Sequence, residues 1–118
     1  MLDTDWDSLV WRSRDDGLMG RVMDAWDEHL AHRDLPRRLP GLLREAGFAL
    51  ASTSVVPMLN VGYRRATYSA GLLELIARFV PGRAGIDEED ARAWADGLRG
   101  MGPDYFFCVN RFMFPATR

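Results

Sequence analysis

The closing segment of the chain, Tyr105 to Phe114, constrains the fold more than any other stretch. Its apolar residues stand on successive positions and not on alternate ones, which is typical of a strand covered on both faces inside a sheet. Such a strand needs a hydrogen-bonded neighbour on each edge. The chain offers one full candidate, Phe48 to Val56, and one stub in its first few residues. We therefore expect an α/β sheet of which this chain carries only a part.

A predicted helix leads directly into the candidate strand Phe48 to Val56, and Pro57 bounds this strand at its far end. Gly47 lies just after the periodic apolar residues and can take the left-handed conformation that ends a helix, and Phe48 can then fold back onto Leu43. The predicted buried face of this helix is Leu39, Leu42, Leu43 and Ala46.

Three more helices are predicted from caps and helical spacing. Asp15-Asp16-Gly17 is a turn and cap signal for the first, which runs to about Ala31, and the chain restarts at Asp34 into the helix already described. After a loop from Pro57 to Thr67, Ser69 caps a third helix. The fourth begins at Asp87, with Asp90 in the capping-box position. Its predicted buried residues are Ala91, Trp94, Ala95 and Leu98, and we also assign Met19, Met23 and Trp26 to the core.

Composition excludes several classes of function. The net charge is -2, so the chain lacks the basic surface that nucleic acid requires. Cys108 is the single cysteine, which excludes an intramolecular disulfide and fits a reducing compartment. No apolar run reaches membrane-spanning length, and the first residues are acidic, unlike a signal peptide. We expect a cytoplasmic protein without nucleic-acid or membrane partners.

Two patterns suggest metal ligands, and neither is complete. Asp3, Asp5 and Asp7 have the spacing of a calcium loop, but that loop needs Gly and Glu where this chain has Ser8 and Arg14. His29 and His32 are three residues apart on a predicted helix, with no third ligand placed to complete a site. We expect no metal site.

The phrase Leu42-Leu43-Arg44-Glu45-Ala46-Gly47-Phe48 resembles the one that precedes the sixth strand of class I S-adenosylmethionine-dependent methyltransferases. The order of elements also resembles the last part of that fold: the fifth strand, a helix, the sixth strand, an insert over the active site, and a seventh strand antiparallel between strands five and six. The run from Asp5 to Val10 resembles the segment after strand five in small-molecule methyltransferases of the ubiquinone and menaquinone biosynthesis type. Tyr105-Phe106-Phe107 resembles the start of strand seven.

The resemblance covers the whole chain and implies one partial domain, residues 1–118, with residues 57–85 as the insert. The sequence lacks the motifs of the first half of the family's pattern, namely the Gly-x-Gly-x-Gly turn, the acidic residue on strand two and the Asp after strand three. The glycines at 82–85 and 97–102 neither follow a strand nor open a helix. The resemblance therefore implies a carboxyl-terminal portion, from a truncated gene or a fragment. S-adenosylmethionine is the cofactor of the full-length family, and none is expected on this segment alone.

The resemblance also implies that this half binds a small-molecule methyl acceptor. Ligands of open α/β sheets sit beyond the carboxyl ends of the strands, where Asp5 would orient or deprotonate the acceptor and Trp6 would contact it. The loop after strand six would add Tyr63, Arg64 and Tyr68 to the acceptor site. The alternative is that neither residue has a role in binding: Asp5 would be a carboxylate exposed to solvent, and Trp6 would pack its indole ring within the fold.

A second hypothesis assigns the chain no catalytic role. The unpaired sheet edge and the apolar closing strand also fit a small, complete α+β interaction domain that forms a homo-oligomer through its sheet edge. An upstream reading frame encoding a strand, a Gly-x-Gly-x-Gly turn and a helix would favour the fragment hypothesis.

Overall fold

The computed structural model describes residues 2–30 and 35–117. The described part is a mixed α/β structure, which confirms the coarse fold class. Its elements are β1 (Leu2–Trp11), α1 (Asp16–Asp27), α2 (Leu35–Glu45), β2 (Ala49–Leu50), β3 (Ser54–Val61), α3 (Tyr68–Phe79), α4 (Glu88–Arg99), β4 (Phe106–Met113) and β5 (Ala116–Thr117). The predicted helix end near Ala31, the restart at Asp34 and the predicted role of His32 lie outside the described residues.

Strand β4 is the centre of a three-stranded sheet with the order β1-β4-β3. The Arg12 backbone N–H donates to the Phe106 carbonyl at 3.0 Å, and the Asn110 N–H donates to the Ser8 hydroxyl at 2.9 Å. Because residue numbers rise on β1 as they fall on β4, the two strands run antiparallel. The prediction that the closing segment is a strand with a neighbour on each edge is therefore confirmed.

The β3 side of the sheet is antiparallel to β4 as well. The segment before β3 contains β2, which pairs with β5 in a separate, antiparallel two-stranded sheet, with Ala49 opposite Thr117 and Leu50 opposite Ala116. Farther along, the Gly62 N–H donates to the Tyr105 carbonyl at 2.7 Å. Residues 49–62 thus run opposite to residues 105–117, and β1 and β3, on either side of β4, are parallel to each other.

Two expectations about this sheet were wrong. β1 is a ten-residue strand and not a stub, so β4 has a full neighbour on both edges within this chain. β4 is also not buried on both faces: Phe107 and Val109, on one face, are fully buried, whereas on the other face Phe106 is 37% exposed and Cys108, Asn110 and Phe112 are partly exposed. Alternate side chains of a strand point to opposite faces, so aromatic content alone does not show that both faces are covered.

The strand predicted over Phe48 to Val56 is displaced. A short β2 is followed by β3, which continues through Pro57 to Val61, so the loop after it covers residues 62–67 only. Proline has no N–H to donate, but β3 is the outer strand of the three-stranded sheet and needs no partner on its free side. Pro57 therefore lies inside a strand that it was expected to end.

Local signals placed most helix ends correctly. Asp15 accepts from the Leu18 N–H at 3.0 Å, and Asp87 and Asp90 form the predicted capping box. Gly47 has φ 90°, and the Phe48 N–H donates to the Leu43 carbonyl at 2.9 Å.

The start of α3 and the buried face of α2 differ from the prediction. Thr67, and not Ser69, caps α3, because its hydroxyl accepts from the Ala70 N–H, and Ser69 is fully buried. On α2, Leu39 is buried, but Leu42 is 39% exposed and Ala46 is exposed.

The described chain forms two compact units. The first comprises residues 2–10, 35–59 and 108–117, and the second comprises residues 11–30 and 60–107. The predicted buried face of α4 is confirmed in the second unit, where Trp11 packs edge-on against Trp94 and Phe107 with ring centroids 5.4 and 4.9 Å apart. The second unit's buried apolar residues are Trp11, Met19, Val22, Ala25, Trp26, Ala70, Leu72, Leu73, Ile76, Val80, Ile86, Ala91, Trp94, Ala95, Leu98, Met101, Tyr105 and Phe107.

Candidate functional site

The carboxyl ends of the parallel strands β1 and β3 meet the start of β4 in the second unit. Arg12 follows β1 and Gly62 follows β3, and their N–H groups donate to the carbonyls of Phe106 and Tyr105. Two interstrand spacings separate the ends of β1 and β3, roughly 10 Å. We call residues 11–14, 61–69 and 102–107 the carboxyl edge. Ligands of open α/β sheets bind at this end of the strands.

A buried pair of hydroxyls lies under the carboxyl edge. The Tyr105 hydroxyl donates to the Ser69 hydroxyl at 2.7 Å, and both residues are fully buried. The Ser69 N–H donates to the Asn60 side-chain carbonyl at 3.0 Å, which ties the first turn of α3 to β3. Burial raises the pKa of the Tyr105 phenol above its ordinary value, and the hydrogen bond with Ser69 partly opposes this. The phenol therefore stays protonated and serves as a hydrogen-bond donor.

Two of the predicted acceptor-binding residues, Tyr63 and Tyr68, pack against the buried aromatic rings of Tyr105 and Phe107. The Tyr63 ring lies edge-on to the Tyr105 ring with centroids 5.4 Å apart, and the Tyr63 N–H donates to the Gly102 carbonyl at 2.9 Å. The Tyr68 ring is 6.0 Å from the Phe107 ring. Tyr63 and Tyr68 are both partly exposed, so each offers a ring surface to a ligand.

The third predicted residue, Arg64, is held by its backbone and not by its side chain. The Arg64 carbonyl accepts from the Thr67 N–H at 3.3 Å and from the Thr67 hydroxyl at 2.8 Å, which closes the turn before α3. Its guanidinium is exposed and has no ion pair or hydrogen bond within the described part of the chain. The same holds for the guanidinium groups of Arg12 and Arg65. By contrast, Arg14 lies 3.6 Å from the Asp104 carboxylate.

Asp5 and Trp6 are not at the carboxyl end of a strand, contrary to prediction. Both lie in the first half of β1 and belong to the first unit, whereas Tyr63, Arg64 and Tyr68 belong to the second. The cause is the length of β1, which continues to Trp11. Trp6 is partly exposed.

Asp5 is also not a solvated carboxylate. It is 3% exposed, and Arg37 donates to its Oδ2 at 3.1 Å while lying 3.6 Å from the Asp7 carboxylate. Its Oδ1 is buried without a hydrogen-bond partner among the residues that the structure describes. Asp5 is thus a buried, ion-paired carboxylate, and its enclosed Oδ1 is not open to a ligand in this structure.

Sequence reasoning did not identify Arg37, Ser69, Arg12 or Tyr105 as site residues. Ser69 was predicted to cap a helix, and Tyr105 was predicted to begin a strand. A polar residue on an otherwise apolar face, such as Ser69 near Leu72 and Leu73, was a usable signal for a buried hydrogen bond. No local signal pairs Arg37 with Asp5, because 32 residues separate them in sequence.

No model of a known protein family matches the sequence, and no similar curated protein or solved structure was found. Within residues 2–30 and 35–117, no three His, Cys, Asp or Glu side chains are grouped in a way that could hold a metal ion. None of the helices in these ranges has both the length and the apolar character needed to cross a membrane.

Proposed function

We propose that this chain is the carboxyl-terminal segment of an S-adenosylmethionine-dependent methyltransferase acting on a small molecule, and that it contributes the acceptor side of the site. One observation carries the proposal: β4 runs antiparallel between two mutually parallel strands, in the order β1-β4-β3. The resemblance implies this arrangement for strands five, seven and six of the family. Two helices, α1 and α2, lie between β1 and β3, where the family has one, and α3 and α4 lie between β3 and β4, where the family has its insert.

The reaction would transfer a methyl group from a sulfonium to a nucleophilic oxygen, nitrogen or carbon of the acceptor. The protein's part in such a displacement is to align donor and acceptor and to exclude water. In this chain Tyr63 and Tyr68 offer ring surfaces for the acceptor, and Arg64 offers a charge. The strand and glycine turn that would hold S-adenosylmethionine have no counterpart in this sequence.

We assign no general base in this proposal. Asp5, the predicted one, lies in the first half of β1 and in the first unit, whereas Tyr63, Arg64 and Tyr68 lie in the second. Its carboxylate is ion-paired with Arg37 at 3.1 Å.

A longer polypeptide tests the proposal. The reading frame upstream of Met1 should encode a strand, a Gly-x-Gly-x-Gly turn and a helix, and the polypeptide that includes them should transfer labelled methyl to a member of an acceptor panel. In it, Tyr63→Ala should raise the KM for the acceptor about threefold to tenfold, because the ring surface offered to the acceptor is lost. Leu75→Ala, at an exposed position of α3, is the matched control and should leave the KM unchanged. No transfer to any acceptor, or equal effects of the two variants, would contradict the assignment.

One observation favours the alternative of a non-catalytic domain that pairs with a second copy. On β3, an outer strand, Val55, Leu59 and Val61 are 54%, 56% and 59% exposed, and they stand on the same face by alternation. Light scattering of the purified chain separates the two functions. A stable dimer that Leu59→Arg converts to a monomer, without any upstream methyltransferase sequence, would support the interaction domain.

A further inference from the structure

We propose that the carboxyl edge binds a planar aromatic acid, with its carboxylate on the guanidinium groups of Arg12, Arg64 and Arg65 and its ring against Tyr63. This inference rests on the proposed function and names the class of acceptor: an anionic aromatic molecule. It also predicts binding by the present chain, without the donor-binding half.

The hydrogen bonds of the sheet place the backbone of Arg12 and the start of the turn that carries Arg64 and Arg65 at the same end of the sheet. Arg12 is bonded to Phe106, and the turn that carries Arg64 and Arg65 begins at Gly62, which is bonded to Tyr105. These two strand ends lie roughly 10 Å apart, on either side of the start of β4. Long, flexible side chains rooted on both sides can converge on a ligand that lies across β4.

The positive charge of the three arginines favours an anionic ligand at the carboxyl edge. Arg12, Arg64 and Arg65 have no acidic partner within residues 2–30 and 35–117, although the whole chain has net charge -2. Nearby, Asp104 is already paired with Arg14, and the Asp15 side chain accepts from the first turn of α1. Guanidinium groups bind carboxylates through two parallel hydrogen bonds, which a single ammonium cannot do.

The aromatic part of the ligand follows from the surface beside these charges. Tyr63 packs edge-on against the buried Tyr105, and its N–H is fixed by Gly102, so its ring is an ordered and partly exposed platform. A planar ring of the ligand can stack on such a surface. A second arginine-lined groove, between α3 and α4, shows the contrast: Arg78, Arg92 and Arg99 line it with alanines and Glu88, and it has no aromatic wall.

The test is a nuclear magnetic resonance titration of the present chain with 4-hydroxybenzoate and with its neutral analogue, 4-hydroxybenzamide. We expect the acid to shift the amide signals of Arg12, residues 62–67 and Tyr105, and to bind about tenfold or more tightly than the amide. The double variant Arg64→Gln/Arg65→Gln should weaken binding of the acid by a similar factor. Arg92→Gln, an exposed arginine in the other groove, is the matched control and should change nothing.

Each other outcome counts against the inference. Equal affinity for acid and amide, shifts centred outside the carboxyl edge, no binding at millimolar concentration, or equal effects of the two sets of variants would overturn it. All the substituted arginines are exposed, and the unperturbed signals of each variant show whether it has folded.

Failure here is distinguishable from failure of the proposed function. If the longer polypeptide methylates only neutral acceptors, the anion assignment is wrong and the methyltransferase assignment stands. If the chain binds the acid but the longer polypeptide transfers no methyl group, the binding site stands and the methyltransferase assignment is wrong.

Discussion

Two sets of arginines in this molecule differ in what balances their charge. Arg37, in the first unit, is held between the carboxylates of Asp5 and Asp7. Arg64 and Arg65, on the carboxyl edge of the second unit, have no such partner in the described chain. A guanidinium that the chain itself neutralises contributes to folding, whereas one left unbalanced beside an ordered aromatic surface is available to a ligand.

The largest effect is expected from Arg37→Leu. It leaves the Asp5 carboxylate buried without its ion-pair partner Arg37, so the free energy of unfolding should fall by about 2 kcal/mol. This is less than for a fully buried pair because Arg37 is half exposed. Urea unfolding measures it. Arg44→Leu, at an exposed position of the same helix, is the control and should stay within about 0.5 kcal/mol of the wild type. Equal values for the two variants would mean that Arg37 does not stabilise Asp5.

The next effect concerns the hydroxyl pair under the carboxyl edge. Ser69→Ala leaves the buried Tyr105 hydroxyl without its acceptor and should cost about 1–2 kcal/mol. A double-mutant cycle with Tyr105→Phe should give a coupling of about 1 kcal/mol, since the second substitution removes the group left unpaired by the first. Ser54→Ala, at an exposed serine, should have almost no effect. Additive losses would show that the two hydroxyls act independently.

The free energy of unfolding should depend on pH in the alkaline range because of the Tyr105 phenol. Burial raises the pKa of Tyr105 in the folded state, so the folded chain holds this proton more tightly than the unfolded chain does. The resulting stability is fully present below the ordinary tyrosine pKa of about 10 and is lost as pH rises through the raised value. Urea unfolding between pH 9 and 11 should show this decline, and Tyr105→Phe should make it shallower. A wild type and variant with the same pH dependence would rule out a raised pKa.

The smallest effect on stability is expected at the carboxyl edge. Arg64→Gln and Arg65→Gln should each change the free energy of unfolding by less than about 0.5 kcal/mol, because neither guanidinium has a partner to lose. Thermal unfolding followed by circular dichroism measures this. A loss comparable to that of Arg37→Leu would show that these side chains serve the fold and are not reserved for a ligand.

Sequence predicted the features that depend on neighbouring residues. The caps at Asp15 and Asp87 and the turn at Gly47 involve residues within a few positions of each other, so their signals are complete in the local sequence. The central position of β4 was predicted from an apolar run that was interpreted as burial on both faces; the position is confirmed, and the burial on both faces is not.

Features set by distant contacts were missed. The burial of Asp5 depends on Arg37, and the burial of Ser69 depends on Tyr105, 36 residues away. The full length of β1 was missed because Asp3, Asp5 and Asp7 are poor strand formers, and pairing with β4 outweighs that preference. Of the predicted site, Tyr63, Arg64 and Tyr68 do lie on the carboxyl edge.

Calorimetric titration with S-adenosylmethionine tests the central claim most directly, because the claim divides the site between this chain and a donor-binding half. We predict no detectable binding by the present chain, and binding by the longer polypeptide that adds the strand and glycine turn. Tight binding by the present chain alone would contradict this division of the site, and a folded longer polypeptide that binds no S-adenosylmethionine would contradict the proposed function.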